Sequence, residues 1–98
     1  METRIGVVGI LVQEKKEAVI ARINQILNEH SGVIVGRMGL PYREKDVAVI
    51  SLIVDGTTDE IGAMTGKLGN IPEVRVKSAF IKKDKSRDEK KPEPNHSS

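Results

Sequence analysis

The sequence predicts an α+β fold: an antiparallel four-stranded sheet carrying two helices on one face, in the order βαββαβ. Three observations lead there. Residues 5–12, 33–40, 47–54 and 74–81 are short apolar segments rich in β-branched side chains, as strands are. Two segments between them repeat apolar residues at the three-and-four spacing of a helix. Glycine, proline and a helix-capping pattern punctuate the boundaries.

The segment 47–54, Val-Ala-Val-Ile-Ser-Leu-Ile-Val, is the most informative. Five of its eight residues are β-branched, and its odd positions are nearly as apolar as its even ones. A strand wet on one face alternates, so this one is expected to be covered on both.

Taken in order, 5–12 reads as a first buried strand, with Gly6 and Gly9 marking close approach of another backbone. Gln13-Glu14-Lys15-Lys16-Glu17 opens a helix with acids near its start, and Val19, Ile20, Ile23, Ile26 and Leu27 form its apolar stripe. His30-Ser31-Gly32 closes it, with Gly32 expected in the left-handed region. The second strand, 33–40, carries Gly36, Arg37 and Gly39, and a turn over 39–44 leads antiparallel into the third.

Thr57-Thr58-Asp59-Glu60 has capping-box spacing and starts a second helix with Ile61, Met64 and Leu68 as its core face. Gly62, Gly66 and Gly69 fall on one stripe of that helix. Gly69 suits a C-cap, whereas the two interior glycines cost about 1 kcal/mol each against alanine. Close packing of another backbone along the stripe is the expected compensation. In Val74–Ile81, Val74, Val76, Ser78 and Phe80 face inward while Arg75 and Lys77 face water, as on an edge strand. Right-handed crossovers then place strands one and three centrally in a split βαβ, or ferredoxin-like, plait.

The chain of 98 residues holds one domain, 1–81, and a charged tail, 82–98, expected to be disordered. The tail's six basic and four acidic side chains account for the net charge of +2, leaving ten of each in 1–81. No concentrated basic face marks the domain for direct nucleic-acid binding. Cysteine is absent, which removes disulfides and thiol chemistry and fits a cytoplasmic location. Neither a signal peptide nor a membrane span is evident.

The residues also weigh against the chemistries that this plait commonly hosts. RNA-recognition motifs stack bases on aromatics of the central strands, but the only aromatics are Tyr42 and Phe80. Gln13-Glu14-Lys15-Lys16 lacks the glycine and arginine of a phosphate-cradling loop. His30, at a helix C-terminus, reads as a cap, and His96 lies in the tail; no metal set or nucleophile–base pair assembles. No catalytic residue, metal or cofactor is therefore expected. The polar group that stands out is Arg37, Tyr42, Arg43 and Glu44: in the first instance charges that keep an edge strand from aggregating, and otherwise a candidate ligand-binding set at a subunit boundary.

Two segments carry a family likeness: Gly36-Arg37-Met38-Gly39-Leu40-Pro41-Tyr42-Arg43-Glu44, and the run from Ile61 through Gly66-Lys67-Leu68-Gly69 to Ile71, continuing into Val74-Arg75-Val76-Lys77. Over residues 3–81 the chain resembles the iron-only hydrogenase system regulators of anaerobic bacteria. That family is ACT-like and similar to the C-terminal domain of the nickel-responsive repressor. The resemblance implies a regulatory role. It does not extend to nickel sensing, since the repressor's histidines and cysteine have no counterparts on these strands. The repressor carries a ribbon-helix-helix segment before its sensor domain, whereas the first strand here is expected to begin by about Ile5, so transcription regulation is expected to run through another protein. The ligand loop of amino-acid-binding ACT domains is likewise missing at 12–16.

The function expected is a non-enzymatic regulatory module that senses a small ligand or a protein. It would act as a homo-oligomer, dimer or tetramer, through the open sheet face or the edge strands. An assembly factor without a small-molecule site is the alternative.

Overall fold

In the computed structural model, residues 2–13 and 16–81 are described. Strand β1 (Arg4–Gln13), helix α1 (Glu17–Glu29), strands β2 (Ile34–Tyr42) and β3 (Val47–Gly56), helix α2 (Thr58–Gly69) and strand β4 (Val74–Ile81) follow in the expected order. They form one antiparallel sheet of order β2-β3-β1-β4, the ferredoxin-like plait with β1 and β3 at its centre. The tail, with His96, and the Glu14-Lys15 part of the anticipated first-helix start lie outside the described residues.

Register explains the core. β1 and β3 pair Val8 with Leu52, Ile10 with Ile50 and Val12 with Ala48, all on the helix side. Val19, Ile23, Ile26 and Leu27 of α1 and Ile61, Met64 and Leu68 of α2 cover that layer. At α2 the capping box forms in full: Glu60 N–H donates to Thr57 Oγ1 at 3.1 Å, and Thr57 N–H donates to Glu60 Oε1 at 2.9 Å. Lys67, in the last turn of α2, reaches Glu29 at the end of α1 at 3.5 Å.

Several local expectations are corrected. No glycine among the described residues has a positive φ. Helix α1 instead ends in a 3₁₀ turn, Ser31–Val33, whose Val33 N–H donates to His30 O, so Gly32 needs no left-handed backbone. Gly69 is the last helical residue of α2, and Asn70 caps it with right-handed angles. The β2–β3 connection is shorter than 39–44: β2 runs through Pro41 and Tyr42, and a 3₁₀ turn, Arg43–Lys45, ends on Asp46 at φ 54°. Aspartate tolerates that left-handed position better than most side chains.

Close approach also falls elsewhere. A Cβ on Gly6 would lie 2.7 Å from Phe80 Cδ1 and 2.8 Å from the Ala79 carbonyl oxygen, as expected of that glycine. Gly9 shows only ordinary contact, and nothing lies within 4 Å of a Cβ placed on Gly62, Gly66 or Gly69. Among the described residues, then, no backbone packs on the α2 stripe. Because the Ala79 carbonyl cannot swing aside as a side chain does, Gly6→Ala is expected to cost about 1–3 kcal/mol. Urea unfolding measures it, and an unchanged midpoint would show that β4 shifts freely against β1.

Candidate functional site

The largest feature outside the core is the second face of the sheet. The two helices cover one side only, so among the described residues the double coverage expected of β3 is met on one face. Ile50, Leu52 and Val54 are buried, whereas Ile53 between them is 42% exposed.

The pairings build this open face row by row. Leu40, Val49, Leu11 and Arg75 lie side by side across β2, β3, β1 and β4; the next row is Met38, Ser51, Gly9 and Lys77. Ile53, Val7 and Ala79 make the third, and Ile5 and Ile81 extend it. Met38, Leu40, Ile5 and Ile81 are each more than half exposed. The small residues Ser51 and Gly9 leave a shallow trough across the centre, with an apolar wall above and below. Lys77 stands at one end of that trough.

The four polar candidates are distributed around this face. Tyr42 lies on it, opposite Val47 at the end of β2. Arg43 and Glu44 follow in the exposed 3₁₀ turn, held by the bond from Asp46 N–H to Arg43 O at 3.1 Å. Arg37 is opposite Leu52 and so projects from the helix side, where it donates to Asn24 Oδ1 of α1 at 3.1 Å. Five residues of strand, roughly 17 Å, separate it from Tyr42. One chain thus gathers Tyr42, Arg43 and Glu44 at a rim and leaves Arg37 as a strut between β2 and α1.

His30 sits at the C-cap of α1 with its Nε2 buried and without a hydrogen-bond partner. No group of three or more His, Cys, Asp or Glu side chains able to hold a metal occurs among the described residues. Nor is any helix among them long and apolar enough to cross a membrane.

A second feature escaped the sequence reading. Between α2 and β4 runs an open groove of about 440 Å³, lined by Gly62, Thr65, Gly66 and Gly69 on one side and Val74, Arg75, Val76 and Ser78 on the other. The glycine spacing was its signal: side chains are missing where a helix would otherwise fill the space beside an edge strand.

The TM1266-like family model, described as an iron-only hydrogenase system regulator, matches residues 4–78. The structure of the uncharacterized protein TM1266 from Thermotoga maritima is 38% identical, with a TM-score of 0.78, over 83% of this chain and 100% of that one. A protein of unknown function from Galdieria sulphuraria shares the fold at 11% identity and a TM-score of 0.61, over 85% of this chain and 48% of its own. So does a protein from Thermus thermophilus described as PII-like and signalling, at 13% identity and a TM-score of 0.52, over 83% and 92%. No curated protein matches the chain.

Proposed function

We propose, from the premise that the chain belongs to the TM1266-like iron-only hydrogenase system regulator family, that it works without catalysis, as a homo-oligomeric regulatory module assembled through its open sheet face. The observation that carries this reading is the apolar face itself. Four strands spaced about 4.8 Å apart, and paired over about eight residues at about 3.3 Å per residue, present roughly 500 Å². A patch of that size on a monomer is at the upper end of what soluble proteins leave uncovered, and larger ones mark interaction sites.

A second copy is the occupant we favour, because like faces of two sheets pack without charged groups meeting at the centre. Arg75 and Lys77 stand only along β4, where their stems can lie on apolar neighbours while the charges reach water. Tyr42, Arg43 and Glu44 would form part of the polar rim and are the candidate contacts for a ligand or protein at the boundary. Arg37 would keep its place as a strut. Regulation would then consist of a ligand or partner favouring one assembled arrangement over another.

Light scattering at micromolar concentration tests this. The expected result is a mass of two chains or a multiple of two. A stable monomer would overturn the reading and assign the apolar face to a different protein, as an assembly factor requires. A saturable rise in melting temperature with an amino acid, a nucleotide or a divalent metal is expected if the boundary takes a small ligand. A flat response to all three classes would leave protein contact as the regulatory input.

A further inference from the structure

The two edges of the sheet are not alike. β2 is interrupted by a register shift between Ile34 and Gly36 and carries Pro41, which has no N–H to offer a neighbouring strand. β4 pairs with β1 without a break over eight positions and contains no proline. The bond from Gln13 N–H to Glu73 O, at 2.8 Å, continues that ladder by one step. Bonded pairs alternate along an antiparallel ladder, so odd-numbered β4 residues bond β1. Val74, Val76, Ser78 and Phe80 therefore turn their N–H and C=O groups outward, to an edge with no neighbouring strand among the described residues.

Beside that edge lies the groove floored by the glycines of α2. On the same face of the same strand Phe80 is 39% exposed, its ring only partly covered. We infer that β4 pairs antiparallel with β4 of a second copy about a two-fold axis at Ser78, joining two sheets into one of eight strands. This rests on the homo-oligomer reading above and names a second surface for it.

Register selects that axis. With Ser78 on the two-fold, Val76 stands opposite the partner's Phe80 and Phe80 opposite the partner's Val76. Each ring then enters the groove beside Val74, Val76 and the bare helix surface at Gly62 and Gly66. On the open face Lys77 meets the partner's Ala79, and Arg75 meets the partner's Ile81, so no two cations stand opposite each other. An axis at Lys77 would set the two Lys77 side chains against each other, which is unfavourable. An axis at Ala79 would put Phe80 opposite Ser78, short of the groove. The three outward-facing pairs around Ser78 would exchange six backbone hydrogen bonds. Because this edge and the open face are different surfaces, both can be occupied, giving four copies.

The sequence holds no cysteine, so introduced thiols report without background. Lys77→Cys and Ala79→Cys chains, unfolded together, refolded and mildly oxidised, are expected to give several-fold more disulfide-linked dimer than either variant alone. Directly opposed, non-bonded strand positions lie about 4.5 Å apart between Cα atoms, within disulfide range. Gly66→Leu places a side chain where no described residue comes within 4 Å of the new Cβ. It is expected to keep the circular dichroism spectrum while abolishing the mixed cross-link and halving the solution mass. Dominant cross-linking of Lys77→Cys to itself would overturn the register, and a Gly66→Leu chain that still cross-links would overturn the groove. An assembled wild type without the mixed cross-link overturns this inference alone, whereas a monomeric wild type overturns the homo-oligomer reading with it.

Discussion

Ile53→Asp is expected to halve the mass of the assembly in solution while leaving the fold of each chain intact. Ile53 lies near the centre of the open face, opposite Val7 of β1 and Gly36 of β2. In a lone chain its side chain is 42% exposed, so a carboxylate there stays hydrated. The cost is then mainly that of a poor strand former, within about 1 kcal/mol. Between two packed sheets the same carboxylate is taken out of water among apolar side chains, and Arg75 and Lys77 of its own chain stand two strands away on β4. An unpaired buried charge costs several kcal/mol. Each 1.4 kcal/mol is a factor of ten in the dissociation constant, so such a cost at every contact separates the faces at micromolar concentration. Light scattering reads the mass and far-ultraviolet circular dichroism reads the fold. An unchanged mass would mean that the open face is not where copies meet.

The sequence made the fold legible because most levels of the pattern agree. β-branched runs, two helical stripes and a capping box all point to one topology, and each core residue assigned to α2 is buried. What remained hidden depended on features that residue type encodes weakly. Gly32 looks like a left-handed cap and Gly69 like a C-cap, yet a 3₁₀ turn and Asn70 end the two helices, and only backbone geometry decides between those endings. Arg37 and Tyr42 are five residues apart, which on a regular strand already puts them on opposite faces. The bulge at Val35 then settles which face each takes, and that register shift has no sequence signature here. The α2 glycines were read as a sign of close packing. They mark instead a space left open among the described residues.

The two faces of β3 provide the other large expected effect, in two neighbouring residues. Leu52 is fully buried between Val8 of β1 and the helices, so Leu52→Ala is expected to cost about 2–5 kcal/mol, the transfer of the side chain plus the cavity left behind. That loss belongs to the fold of each chain and should be the same at every protein concentration. Ile53→Ala removes a similar volume from the opposite face. In dilute protein, where the face is wet, it is expected to cost less than about 1 kcal/mol. In concentrated protein its cost should grow, because association stabilises the folded chain by mass action and the truncated face associates less well. Urea unfolding at concentrations a hundredfold apart separates the two behaviours. A small, concentration-independent loss for Leu52→Ala would put the core on the wrong face of the sheet. A large, concentration-independent loss for Ile53→Ala would mean that the chain covers this face itself, leaving nothing for a second copy to bury.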